Sequence, residues 1–348
     1  MWLFSHRAKA MSPTQGHFSH GEMAMSNLRD AVGLCMPYGK ANSQFDAEFE
    51  PATGTIWGYM NPRGTPCFNL GLLKDIREHD AALERNGGRV LAEDTWHDAR
   101  YYVGCSRTPR VYNLGGDLAL FMLLIKARDR DALAHYAAMC LDNLYPRIHN
   151  YGCPTLTTIS LVQGDALGGG FECALTSDII VAEESAQMGL PEIMFNLFPG
   201  MGAYSLLSRR IGPRAAEDLI LSGRMLSAAK LQELGLVDVV AKDGQGVSAA
   251  QHWIANNARR RNGTQGVFRT RQLVNPITRH ELDAVAQTWV DTALRLKDRD
   301  LKMMSWLVRA QMQRMEAGNV EDITVEATAA EARAYAPRVA AVAVAAAV

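Results

Sequence analysis

The chain has 348 residues, 48% of them hydrophobic, and a formal net charge of −1. That length can bury a full core, and that composition excludes a disordered chain. Near-neutral charge argues against a broad nucleic-acid-binding surface.

No stretch reaches the roughly 18 consecutive apolar residues that a membrane-spanning helix needs. Met1-Trp-Leu-Phe-Ser-His-Arg7 is too short and polar for a secretory leader, so a cytoplasmic protein is expected. The six cysteines, at 35, 67, 105, 140, 153 and 173, form no CxxC pair and have no histidine at metal-ligand spacing. They read as small buried hydrophobes in a reducing compartment, and neither a metal nor a cofactor is expected.

Residues 1–43 carry no hydrophobic period and read as a poorly ordered arm, within which Met11 and Met25 offer alternative starts. From Gln44 the pattern changes. Phe45–Phe49 and Thr55–Met60 flank Pro51-Ala-Thr-Gly54 as a hairpin. Phe68–Glu84 has helical spacing and stops at Gly87-Gly88. Arg100–Cys105 is a strand and Val111–Asn113 a short extended piece. Leu114-Gly-Gly-Asp117 is a turn whose aspartate caps the helix Leu118–Ala127. A helix over 131–144 follows.

Thr157–Gln163 reads as a buried strand, Gly168-Gly-Gly170 as a turn into a short helix, and Asp178–Glu183 as a second buried strand. Helices are expected over 203–210, 213–221 and 228–234, the last capped by Ser227, followed by a short strand at 237–240. Beyond Gly246 only helices are expected, over 247–259, 264–273, 279–297 and 299–316, before an apolar low-complexity tail. Strands alternating with helices across short glycine turns indicate an α/β fold with crossover connections.

The chemistry concentrates between Val162 and Gly202. Glu172 falls in the first turn after three glycines, and Glu192 follows Gly189-Leu-Pro. A carboxyl in an apolar neighbourhood is poorly solvated, which raises its pKa toward values useful for proton transfer. The turns at Gly115-Gly116 and Gly168-Gly169-Gly170 each open a helix. If they face each other, their N–H groups can hold one carbonyl oxygen as an oxyanion hole. Either turn alone fits a ligand-free strand-to-helix connection, and either glutamate alone fits a solvated or dipole-favoured position. The two turns with the two glutamates favour a site. Phosphate-loop, H-E-x-x-H and G-x-S-x-G patterns are absent, and the glycine run does not fit G-x-G-x-x-G.

These segments resemble the crotonase (enoyl-CoA hydratase/isomerase) superfamily: Leu114-Gly-Gly-Asp117, Ala166-Leu-Gly-Gly-Gly-Phe-Glu172, Gly189-Leu-Pro-Glu192 and Phe198-Pro-Gly-Met-Gly202, with Leu234-Gly-Leu-Val-Asp238. The resemblance covers roughly 44–320. Val111–Phe121, Leu161–Glu172, Met188–Glu192, Leu197–Ser205 and Trp289–Ala293 look closer still to the synthases of diffusible signal factors, cis-2-unsaturated fatty acids used in quorum sensing.

The resemblance implies a crotonase-like spiral of ββα units over 44–245. A helical oligomerisation region over 246–335 and the low-complexity tail 336–348 would follow. It implies dehydration of a 3-hydroxyacyl thioester, carried on acyl carrier protein or coenzyme A, and then thioester hydrolysis. Glu172 and Glu192 would be acid and base, in unassigned order, with the N–H groups of Gly116 and Gly169 as the oxyanion hole. Leu118, Phe121, Met122, Leu190 and Met201 are the candidate acyl-binding residues. A homo-trimer or hexamer is implied, and for a signal synthase a regulatory sensor protein as partner. An ordinary enoyl-CoA hydratase or isomerase, and a catalytically idle binding protein, are the alternative readings.

Overall fold

The computed structural model describes residues 35–38 and 43–317. The rest of the expected arm, both alternative starts, the end of the helical region and the tail 336–348 lie outside the described residues.

Thirteen strands and eleven α-helices are present among the described residues. The strands are β1 Cys35–Tyr38, β2 Phe45–Glu50, β3 Thr55–Met60, β4 Arg89–Ala92, β5 Thr95–Asp98, β6 Tyr101–Ser106, β7 Val111–Asn113, β8 Thr157–Val162, β9 Asp165–Leu167, β10 Ile179–Glu183, β11 Gln187–Gly189, β12 Met225–Ser227 and β13 Val239–Ala241. The helices are α1 Leu70–Arg85, α2 Leu118–Ala127, α3 Arg130–Ile148, α4 Gly169–Leu175, α5 Ala203–Ile211, α6 Pro213–Ser222, α7 Ala228–Glu233, α8 Gly246–Asn257, α9 Arg261–Val274, α10 Arg279–Ala293 and α11 Asp298–Ala317.

The main sheet runs β1-β2-β3-β6-β8-β10-β13. Its first three strands are antiparallel, and β3, β6, β8, β10 and β13 are parallel. Strand side chains alternate between faces. Trp57, Tyr59, Ile159 and Leu161 therefore pack on one side with Val247, Ala250 and Ile254 of α8. Ile56, Met60 and Tyr102 face the larger core, which takes in α1, α3 and the C-terminal helices. The expected α/β class with crossover connections is the observed one. The strand β1 lies within the stretch expected to be an unpatterned arm and pairs with β2.

A second, smaller sheet, β12-β11-β9-β7, was not expected. Strands β7, β9 and β11 are mutually parallel neighbours. Each has only three residues, too few to carry a period, and the pairing that creates them is between segments far apart in sequence. The hairpin β4–β5 was also missed: its two four-residue strands are mostly exposed, so no alternating buried face marks them.

Helix α3 also outruns its expected end at 144. Pro146 removes one N–H and ordinarily breaks a helix. Here the final turn is tied down by Arg147, whose Nη2 donates to Ile159 O at 3.0 Å and Ser177 Oγ at 2.8 Å.

Candidate active site

The small sheet positions the candidate groups. β7 ends at Asn113, and the turn Leu114-Gly115-Gly116 leads to Asp117, whose carboxylate accepts from Leu120 N at 3.0 Å and caps α2. β9 ends at Leu167 and passes through Gly168 into α4, which carries Glu172. β11 ends at Gly189 and passes through Leu190 into a 3-10 turn, Pro191–Phe195, which carries Glu192. Three adjacent parallel strands thus deliver two glycine turns and two glutamates to their shared carboxyl ends. In α/β sheets that is where ligands bind.

The two turns are pressed together. Gly115 has φ +94°, and a Cβ on it would stand 2.7 Å from Leu167 O and 3.0 Å from Gly169 N. A Cβ on Gly169 would stand 3.5 Å from Gly116 N. Gly115 N is occupied by Asn113 Oδ1 at 2.8 Å, whereas the N–H groups of Gly116 and Gly169 enter no loop or cap backbone hydrogen bond. Two neighbouring free amides are what a carbonyl oxygen gaining negative charge requires.

Glu172 is buried, and Glu192 is half-buried with its carboxyl turned inward. Glu172 Oε1 accepts from Met201 N at 2.8 Å and Ala203 N at 3.0 Å. The motif Phe198-Pro-Gly-Met-Gly202 is therefore a cradle that presents two amides to this carboxylate at the start of α5. Gly200 has no side chain because Trp289 occupies that space, 2.4 Å from where its Cβ would be. Glu192 lies against Gly168: a Cβ there would be 2.4 Å from Glu192 Oε1. Its Oε2 is buried with no hydrogen-bond partner in the protein.

Burial pushes the Glu172 carboxyl up to about 7, against the opposing pull of its two amides. Burial pushes Glu192 up to about 8, and the neighbouring charge of Glu172 adds to the rise. Near pH 7 to 8 the pair therefore holds about one proton between two carboxyls.

A cavity of about 570 Å³ contains this centre and is lined mainly by apolar side chains. Gly116, Gly169, Glu172, Glu192, Leu118, Phe121 and Met201 all line it. Met122 and Leu190 do not. Leu190 is fully buried in the core beneath the 3-10 turn, and Met122, the next residue round α2 from Phe121, packs on the core instead. Both were expected in the acyl pocket from sequence, which gives no helix rotation.

Several lining residues carried no sequence expectation. Trp289 of α10 stacks edge-on against Phe121 at 5.1 Å, and Trp306 and Leu307 of α11 complete that wall. Asp80 and Arg147 also line the cavity although both are charged. Their signal was available: Asp80 follows Leu73 and Ile76 on the apolar stripe of α1, where a charge is out of place. Among the described residues no helix is long and apolar enough to cross a membrane.

The sequence model of the family described as enoyl-CoA hydratase/isomerase matches residues 106–297, more than half the chain. A Rhizobium meliloti protein described as a probable enoyl-CoA hydratase is 50% identical over 86 residues, 24% of this chain and 34% of that protein. A Bacillus subtilis protein of the same description is 34% identical over 134 residues, 38% of this chain and 49% of its own length. The chain spans about a third to a half of the length of these curated relatives. Among solved structures, Pseudomonas aeruginosa DspI superposes with a TM-score of 0.56 at 24% identity, over 70% of this chain and 91% of that one. Human mitochondrial delta3-delta2-enoyl-CoA isomerase superposes with a TM-score of 0.60 at 20% identity, over 78% and 99%. These two likenesses bear on the fold.

Proposed function

The chain belongs to the enoyl-CoA hydratase/isomerase family, and from that premise we propose that it dehydrates a 3-hydroxyacyl thioester and then hydrolyses the product to a free 2-unsaturated fatty acid. The observation that carries the reading is the pair of carboxyls turned into one apolar cavity beside two free amides, where burial raises both carboxyls.

The thioester oxygen lies between Gly116 N and Gly169 N. One carboxylate removes a C2 proton, and the two amides stabilise the enolate that forms. The other carboxyl gives its proton to the 3-hydroxyl, the C3–O bond breaks, water leaves and the C2=C3 double bond remains. Moving a double bond needs only one base. Eliminating water needs both a base and an acid, and a pair holding one proton offers both. In the second stage a carboxylate-activated water adds to the thioester carbon. The same amides hold the tetrahedral oxyanion, and the thiol of acyl carrier protein or coenzyme A departs.

The closer sequence resemblance to diffusible-signal-factor synthases supports the cis-2 product and the hydrolytic second stage. The names of the curated relatives favour the reverse reaction, hydration of a 2-enoyl-CoA. Mass spectrometry after incubation with 3-hydroxyacyl-CoA and 3-hydroxyacyl carrier protein separates the two readings. Release of free cis-2-enoic acid supports signal synthesis. Interconversion of hydroxyacyl- and enoyl-CoA without acid release refutes it.

A further inference from the structure

The cavity has a polar inner end that the two-carboxyl chemistry does not use. One face of α3 lines it along Tyr136, Cys140, Asn143, Leu144 and Arg147. Tyr136 marks the carbonyl end: its hydroxyl donates to Phe68 O at 2.7 Å and lies 3.6 Å from where a Gly116 Cβ would be. Asn143 and Arg147 stand two and three turns farther along.

Asn143 is 8% exposed and Arg147 6%. Asn143 Nδ2 donates to Met139 O at 2.9 Å and Leu73 O at 3.1 Å. Those two carbonyls fix which end of the amide is nitrogen, since a reversed amide would set oxygen against oxygen. Asn143 Oδ1 is then a buried acceptor with no partner in the protein. One helical turn on, Arg147 uses both Nη atoms, on Tyr151 Oη, Ile159 O, Ser160 Oγ and Ser177 Oγ. Its Nε is a buried donor with no partner. Unpaired buried polar atoms are costly and rare.

We propose that Asn143 and Arg147 form a subsite for a hydroxyl group near the far end of the acyl chain, so that the favoured substrate is an acyl thioester with an oxygenated tail. A hydroxyl is the smallest group that donates to Asn143 Oδ1 while accepting from Arg147 Nε. A carboxylate tail offers no donor, and a methyl tail satisfies neither atom. Seven residues of α3 separate Tyr136 from Asn143, about 10 Å along the axis. At roughly 1.2 Å per bond of extended chain this spans about eight or nine bonds, which puts the hydroxyl on a chain of about ten carbons.

The inference rests on the thioester reading for its substrate class, and the experiment separates the two. Turnover of plain 3-hydroxydecanoyl-CoA reports the reaction. The ratio of kcat/KM between the ω-hydroxylated and plain chains reports the subsite. Calorimetric binding of ω-hydroxydecanoic acid against decanoic acid reports the subsite without any chemistry. The native protein is expected to favour the hydroxylated chain by ~10-fold or more in both comparisons, because a site with buried unpaired polar atoms rejects an analogue that leaves them unpaired. Asn143→Leu, similar in shape, should bring the ratio between the two chains to about one. Equal or weaker binding of the hydroxylated acid by the native protein overturns the proposal, and an ordered water then serves the two atoms. That comparison needs no variant, so it stands even if Asn143→Leu fails to fold.

Discussion

Replacing Glu192 by Gln should make the protein more stable than the native form at alkaline pH, while removing activity. Burial holds the Glu192 carboxyl protonated in the folded state up to about 8, against an ordinary value of 4.5. Between those values the unfolded chain releases a proton that the folded chain keeps, so stability falls as pH rises through that window. At about 1.4 kcal/mol per pH unit the full displacement corresponds to an upper bound of ~5 kcal/mol, and relaxation around the charge should leave about 2–4 kcal/mol. The amide of Gln adds its own desolvation cost of about 1–3 kcal/mol, but that cost does not depend on pH. The contribution of Glu172 is common to both proteins and largely cancels. The pH-dependent part of the difference is therefore the informative quantity. Urea unfolding of both proteins from pH 5 to pH 9 should show Glu192→Gln gaining about 2–4 kcal/mol on the native protein across the series, or roughly 3–6 °C in Tm. Parallel stability curves over that range would refute the claim that Glu192 is buried without a compensating charge.

Glu172→Gln should keep the fold and lower kcat by 100-fold or more, at the ~10²–10⁴ that general acid–base catalysis contributes; a near-native rate on 3-hydroxyacyl thioester sinks the two-carboxyl scheme. Because one carboxyl must be ionised and the other protonated, kcat/KM should be bell-shaped with limbs near 7 and 8. It rises as the first proton leaves and falls as the second leaves, and a pH-independent profile from 5 to 9 contradicts the shared proton. Gly116→Ala would put a Cβ 2.6 Å from the Phe121 ring beside the oxyanion amides. A drop in kcat of ~10-fold or more with little change in Tm is expected, and unchanged kinetics would remove Gly116 from the hole. The self-association implied by the family resemblance finds a candidate surface on α9, which buries no residue and exposes Val267, Leu273 and Val274. Val267→Asp with Leu273→Asp should lower the mass measured by light scattering to that of one chain, and an unaltered mass excludes that face.

Local signals were enough for the long elements. Helices α1, α2 and α10 have periodic apolar faces and side-chain caps at Asn69, Asp117 and Thr278, each cap adjacent in sequence to the helix it starts. The buried strands β8 and β10 are mostly apolar or β-branched runs, apart from Ser160 and the terminal Glu183. Such features arise from neighbours in the chain, so the α/β class and the positions of the glycine turns could be read directly. Glu172 and Glu192 also stood out beside their glycines.

Other features depend on partners distant in sequence. The three-residue strands β7, β9 and β11 exist because they pair with each other, and that pairing sets Gly116, Gly169, Glu172 and Glu192 around one cavity. The last turn of α3 persists past Pro146 because Arg147 is bonded to β8 and Ser177. Leu190 and Met122 turned away from the cavity because helix rotation and core packing are set by the whole fold. Sequence alone named the candidate groups. Only the three-dimensional packing decided that they share one desolvated space, and desolvation is what raises the two carboxyls into the range where they can exchange a proton.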